Sequence, residues 1–167
     1  MGEDEILDAR DNEVTGKIPS AIRRFSLLIL LLATGCGMPH IIVLDDSLTP
    51  EEHLNLGVSY EKNNELEAAV REYLAAAKSL PAAYLYLGNV SFRKEEYAEA
   101  EDYYRKAIEK DAANADAYNN LAWLFYTQGR NLEEAEGLAL RAVELNPAKA
   151  DVYRDTLEKI RAVTSSR

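Results

Sequence analysis

The chain has 167 residues, 47% of them hydrophobic and 29% charged, with eight Gly and five Pro, a balance that fits one packed and mostly helical body rather than a disordered chain. Its net charge of −10 at pH 7 excludes the clustered Lys and Arg of a nucleic-acid footprint, and a basic patch for anionic lipid headgroups with it. One Cys and two His exclude an internal disulfide and a multi-Cys zinc site, and they are too few and too separated for a metal or catalytic-triad constellation.

Residues 1–49 read as delivery. Arg23-Arg24 precede the apolar run Phe25–Ala33, which as a helix extends only ~14 Å, about half of a ~30 Å hydrocarbon layer. A charged flank, a short apolar run and small residues in that order are the layout of a secretory signal. The ending Ala33-Thr34-Gly35-Cys36 resembles the lipobox of bacterial lipoproteins, with Ala33 where Leu is usual. That resemblance implies cleavage before Cys36 and a diacylglyceryl group on its thiol, and two acyl chains hold a protein stably on a bilayer. Gly37, standing where Asp would retain the protein, implies the outer membrane and a periplasmic face under the sorting rule of enteric bacteria. On this reading residues 1–35 are a signal peptide and 36–48 a tether, and removing six acids and four bases leaves −8. The acidic leader Met1–Gly16 is foreign to a signal peptide and leaves open a translation start at a later codon, such as that for Val14 or Ile18. The tether's run Ile41-Ile42-Val43-Leu44 has two readings, a sticky linker segment or a strip packed on the first helix.

From Thr49 onward one pattern recurs. Leu56-Gly57, Leu87-Gly88 and Leu121-Ala122 are spaced by 31 and 34 residues, and each is answered about a dozen residues later by Ala69, Ala100 and Ala135. That is the period of a helical solenoid. Thr49-Pro50-Glu51-Glu52 is a capping box with Pro in the first turn, so a helix is expected to run from 50 to about Lys62. Asn63-Asn64 break it, and 65–79 form its antiparallel partner. The second pair is expected from Pro81 to Arg93 and, after a turn at Lys94-Glu95-Glu96, back to Lys110. The third starts after Asn114, stops at Gly129, restarts behind Asn131 as a cap with Glu134 three residues on, and ends at Asn146-Pro147. Residues 150–163, with Val152, Tyr153, Leu157, Ile160 and Val163, are a helix that covers the last apolar face, and 164–167 are expected to fray.

These residues carry a second resemblance, to the tetratricopeptide repeat family. The first repeat supplies Leu56, Gly57, Tyr60, Ala69, Tyr73, Ala76 and Pro81. The second supplies Tyr84, Leu87, Gly88, Ala100, Tyr104 and Ala107, with Ser91 where an aromatic is usual and Ala112 where Pro is usual. The third supplies Tyr118, Leu121, Ala122, Phe125, Ala135, Ala139, Ala142 and Pro147, with one extra residue near Asn131. The fold implied is all-α, a solenoid of three helix-turn-helix pairs (about 50–80, 81–114 and 115–148) plus a C-terminal capping helix, together 49–163. Gly57, Gly88 and Ala122 are small because the second helix of each pair crosses there.

In that family the first helices line a concave groove for peptides or partner helices. By position the groove is expected at Leu54, Asn55, Val58, Lys62, Leu85, Asn89, Phe92, Arg93, Asn119, Trp123 and Tyr126, a mixture of rigid aromatics and amides suited to an extended peptide. Leu54 and Val58 stand where chaperone-binding members carry the Lys and Asn that clamp a C-terminal carboxylate, so that recognition is not expected. Trp123 is open between groove and core filler, and Asn119-Asn120 between groove and plain solvation. Glu101-Asp102 and Glu133-Glu134 read as helix-start charges favoured by the macrodipole, and His53 as a half-exposed packing residue.

The function expected is a non-catalytic protein–protein interaction scaffold, lipid-anchored in the bacterial envelope, with an envelope protein as partner and a role in assembling an envelope complex. No cofactor, metal, nucleic acid or small-molecule substrate is implied. The alternatives are a structural protein that self-associates through its repeat faces, a soluble cytoplasmic adaptor if the signal is not used, and an enzyme with Cys36 as nucleophile, which the lipobox-like sequence around it speaks against.

Overall fold

A computed structural model of the chain describes residues 47–166. Cys36, the signal-like run and the Ile41–Leu44 strip lie outside the described residues. Within them are seven helices and no strand: α1 (Pro50–Lys62), α2 (Leu66–Ala77), α3 (Ala83–Arg93), α4 (Tyr97–Lys110), α5 (Ala115–Gln128), α6 (Leu132–Leu145) and α7 (Ala150–Thr164), with a 3-10 turn at Pro147–Lys149 before α7.

Local chemistry starts and stops these helices. At α1 the capping box is complete: Thr49 Oγ1 accepts from the Glu52 amide at 3.2 Å, and the Thr49 amide donates to Glu52 Oε2 at 2.7 Å. Asn114 caps α5 by accepting from the Ala117 amide at 3.0 Å. The turns inside the first two pairs each place one residue in the left-handed region, Asn64 and Glu95, both at φ 62°. Asn adopts that conformation readily; Glu95 does so against its preference. The third turn, three residues like the other two, has two residues rather than one between its first left-handed position and the next helix, and it uses two such positions, Gly129 at φ 63° and Asn131 at φ 50°. This corrects the expectation for Asn131, whose side chain makes no cap hydrogen bond. A capping Asn needs an extended backbone, and the extra residue has spent Asn131 on reversing the chain. Boundaries also differ by one or two residues, α2 running from Leu66 to Ala77 against the expected 65–79. The second pair begins at Ala83, because Leu80 and Pro81 accept amides from Ala83 and Tyr84 at 3.1 Å in a tight lead-in turn. At the other end α7 includes Thr164, whose hydroxyl donates back to the Ile160 carbonyl at 3.0 Å, so the expected fray starts later.

Packing follows from the small residues. In the first pair the Tyr73 ring lies across Gly57, and in the second Tyr104 lies across Gly88; a Cβ on either glycine would sit 2.5 Å from a ring carbon. Both rings are buried, as are Ala69, Ala76, Ala100 and Ala107 on the same helices. The third pair solves the crossing differently. Ala122 replaces the glycine and Ala139 stands where the ring would be, both fully buried, so the methyl added on α5 is offset by the ring removed on α6. Bulk returns from Phe125, fully buried between the guanidinium groups of Arg130 at 4.7 Å and Arg105 at 5.6 Å from its ring centroid.

Those two arginines share Glu101, which accepts from Arg130 at 2.6 Å and Arg105 at 2.9 Å, and Arg105 also reaches Glu134 at 2.8 Å. Burial alone would raise the Glu101 carboxyl, and the two guanidinium hydrogen bonds outweigh it and hold it below its ordinary value. Since α4 begins at Tyr97, Glu101 lies beyond the first turn, and the helix-start reading fails for it; Glu133 and Glu134 do sit in the first turn of α6. His53 is also corrected, being buried with Nδ1 at 2.8 Å from Glu72 Oε2 across the α1–α2 crossing. At the end of the stack α7 buries Tyr153, Thr156, Leu157 and Ile160, and Tyr153 donates to Asp116 at 2.8 Å.

The two kinds of glycine separate by test. Gly88→Leu is expected to lower stability in urea denaturation by about 1–3 kcal/mol, through overpacking against Tyr104. Gly137, in the middle of α6, has nothing within 4 Å of its would-be Cβ, so Gly137→Ala is expected to raise stability by about 0.5–1 kcal/mol.

Candidate functional site

The first helices of the three pairs, α1, α3 and α5, carry two adjoining cavities. One, of about 300 Å³, is lined by Asn89, Phe92, Arg93, Tyr104, Asn120 and Trp123. The other, of about 230 Å³, is lined by Val58, Glu61, Lys62, Tyr86, Asn89 and Arg93. Asn89 and Arg93 belong to both, so the cavities share a wall made by one edge of α3.

Six of the eleven residues expected from position thus line these cavities: Val58, Lys62, Asn89, Phe92, Arg93 and Trp123. The others frame or leave them. Leu54 packs on the apolar cluster around Tyr73 and Leu87, while Leu85 and Tyr126 pack on the cluster around Leu121 and Phe125. Asn55 is exposed. Asn119 is half-buried and donates to Asn120 Oδ1 at 3.4 Å, and its own Oδ1 is buried without a hydrogen-bond partner. Trp123 combines its two readings: half-buried, its ring lies 5.1 Å from Tyr126 while it walls the larger cavity, and Lys159 from α7 stands 5.2 Å over it.

Three lining residues escape positional reasoning, Glu61, Tyr86 and Tyr104, while Asn120, open in the sequence between groove and solvation, lines the larger cavity. Tyr104 shows why. Its ring is the core element that crosses Gly88, and the hydroxyl emerges beyond the crossing to donate to Asn89 Oδ1 at 3.1 Å. Asn120 donates to the same oxygen at 2.9 Å. Both lone pairs of that carbonyl are therefore engaged, which fixes the amide and leaves its two N–H donors for whatever enters. Tyr73 does the same one pair earlier, its hydroxyl donating to Glu61 at 2.7 Å. Glu61 also accepts from Arg93 Nη1 at 3.1 Å, and Arg93 Nη2 donates to Asn64 at 3.0 Å, joining α3 to the end of α1. Burial, reinforced by Glu61, pushes both tyrosine hydroxyls well above their ordinary range, so they stay protonated donors across physiological pH.

A further hollow of about 560 Å³ lies between α6 and the end of α7, lined by Glu136, Glu158, Arg161, Ala162, Thr164 and Ser165. It is larger, but its lining is mostly exposed polar side chains bridged by Arg161 to Glu136 at 2.7 Å, and it holds no aromatic residue. Size alone does not make it the better recognition surface. Among the described residues no group of His, Cys, Asp and Glu is arranged to hold a metal ion.

The amide hub yields a test of the floor. Asn89→Leu strands the Tyr104 hydroxyl and the Asn120 amide, and is expected to lower stability by about 1–3 kcal/mol in chemical denaturation. Asn89→Asp keeps the acceptor and is expected to lose less than half as much.

Similarity to known proteins agrees with the fold. Two solved structures share the fold: the first tetratricopeptide domain of Spaghetti (RPAP3) bound to the HSP90 peptide SRMEEVD, at a TM-score of 0.65 and 21% identity over 74% of this chain and 98% of that one, and the TPR2B-domain:pHsp70 complex of yeast Sti1, at 0.64 and 21% over 71% and 98%. No curated protein matches in sequence. The tetratricopeptide repeat profile matches residues 54–115 and 87–150, more than half of the chain, in register with the paired helices. The chain belongs to the tetratricopeptide repeat family.

Proposed function

We propose that this protein is a non-catalytic scaffold that captures an extended segment of a partner protein on the face formed by α1, α3 and α5. The observation that carries this reading is the pair of adjoining cavities, where Phe92 and Trp123 provide rigid apolar walls and Asn89, held by Tyr104 and Asn120, offers two unused amide donors to a peptide backbone. Tetratricopeptide repeats typically serve as interaction scaffolds rather than catalysts. The two structural relatives were solved with an HSP90 peptide and in a pHsp70 complex, which supports a protein or peptide partner. Leu54 and Val58 pack partly buried against the first apolar cluster, so this chain offers no Lys and Asn there for a terminal carboxylate.

We further propose that the scaffold is tethered to a bacterial envelope membrane through Cys36, with the groove on the periplasmic side and an envelope protein as its partner. Support comes from the Ala33-Thr34-Gly35-Cys36 sequence behind the Phe25–Ala33 run. The anchor proposed is the covalent lipid on Cys36; among the described residues no helix is long and apolar enough to cross a membrane.

Two measurements test the two halves. A photo-crosslinking residue at Phe92 or Trp123 is expected to reach one dominant partner in intact cells; crosslinks only to the protein itself would indicate self-association instead. Metabolic labelling with a radiolabelled fatty acid is expected to mark the wild type and not Cys36→Ser. Equal labelling of both would remove the anchor.

A further inference from the structure

The two cavities differ in chemistry. The larger, between α3 and α5, is walled by Phe92, Tyr104 and Trp123, and its one charged group, Arg93, is already held by Glu61 and Asn64. An apolar side chain can fill it without stripping an unpaired charge of water. The smaller, between α1 and α3, has Val58 and Tyr86 as apolar wall and Glu61, Lys62 and Arg93 as charges. Glu61 is neutralised by Arg93 and further satisfied by Tyr73. Lys62, exposed in the last turn of α1, makes no ion pair among the described residues. The uncompensated charge at that end of the groove is therefore positive, on a body whose described residues carry 21 acids against 14 bases. At the opposite end Lys159, above Trp123, is already paired with Asp155.

Both cavities open onto α3, so moving from one to the other is a step of about one helix spacing, ~8–10 Å. An extended chain rises ~3.3 Å per residue, so about three residues bridge them. The Asn89 amide donors lie along that path, at the wall common to both cavities.

We infer that the groove selects an extended partner segment bearing a bulky apolar side chain for the Phe92–Trp123 cavity and, about three residues away, an Asp or Glu side chain for Lys62. This rests on the groove reading proposed above. The acidic preference is modest, because an exposed ion pair is worth little; the apolar anchor supplies most of the affinity.

A displayed library of random twelve-residue peptides, selected on the detergent-solubilised full chain, tests it. The winners, resynthesised with amidated C-termini so that only side-chain carboxylates remain, are titrated by fluorescence anisotropy against wild type, Lys62→Glu and Trp123→Ala, each first shown to keep its cooperative thermal melt. The expected result is an aromatic or Leu/Met residue about three positions from an Asp or Glu, at least ten-fold weaker binding to Trp123→Ala, and about five-fold weaker binding to Lys62→Glu, which in its own selection favours Lys or Arg at the acidic position. Winners weakened by Trp123→Ala but indifferent to Lys62→Glu, rich in Lys and Arg on the wild type, or lost on amidation would overturn the acidic-segment inference and leave the groove reading standing. Winners indifferent to Trp123→Ala would overturn both.

Discussion

A tyrosine ring laid across a glycine holds this molecule together. At Gly57 and Tyr73, and again at Gly88 and Tyr104, the two helices of a pair cross so closely that a single methyl group would enter the ring at 2.5 Å. The close approach goes with small buried residues on α2 and α4, Ala69, Ala76, Ala100 and Ala107, while the larger Leu87 clusters with Ala69 and Tyr73 of the first pair, and Leu121 and Leu124 with Ala100 and Tyr104 of the second. The same rings connect core and surface. Each is buried along its length while its hydroxyl emerges on the far side of the crossing, one holding Glu61 and the other Asn89. The crossing therefore sets both the stacking of the solenoid and the position of two polar groups on its candidate binding face.

The third pair shows that the constraint is one of volume rather than of residue type. Ala122 with Ala139 occupies the crossing that Gly with Tyr occupies elsewhere, and Phe125 moves the bulk to a neighbouring turn under two arginines. Without a ring at Ala139 no hydroxyl reaches the floor of α5. Asn120 instead extends the polar line to Asn89. The α7 helix then closes the stack with Tyr153, Leu157 and Ile160 turned inward and charged residues outward, which ends the array rather than offering another crossing.

Periodicity made most of this fold legible in the sequence. The spacing of Leu-Gly and Leu-Ala pairs, with the cap and turn residues between them, located the six paired helices to within a few residues, because the crossings demand small residues wherever they occur, and the apolar spacing of 150–163 located the seventh. What remained hidden were the places where one residue serves two masters. Asn131 carries a capping residue type but is used to reverse the chain, as the second left-handed position of its turn. Glu101 looks like a helix-start charge yet sits past the first turn and ties Arg105 to Arg130. His53 looks like surface packing yet is buried against Glu72. On the candidate face, position alone identified Val58, Lys62, Asn89, Phe92, Arg93 and Trp123, because the outward stripe of each first helix follows from its inward one. It missed Tyr104, since a sequence pattern records that a ring is apolar and says nothing of where its hydroxyl emerges, and Tyr86, whose ring stands 5.3 Å from that of Tyr73.

The dependence of everything else on the ring-over-glycine crossing is tested most directly by a double-mutant cycle between Gly88→Ala and Tyr104→Ala, read by urea denaturation. In the wild-type background the added methyl meets the ring and destabilises; with the ring gone it lies in open space on a helix that prefers Ala to Gly, and the cost vanishes or reverses. The crossing predicts a coupling energy of about 1 kcal/mol or more. Additive effects, with Gly88→Ala costing the same in both backgrounds, would contradict it.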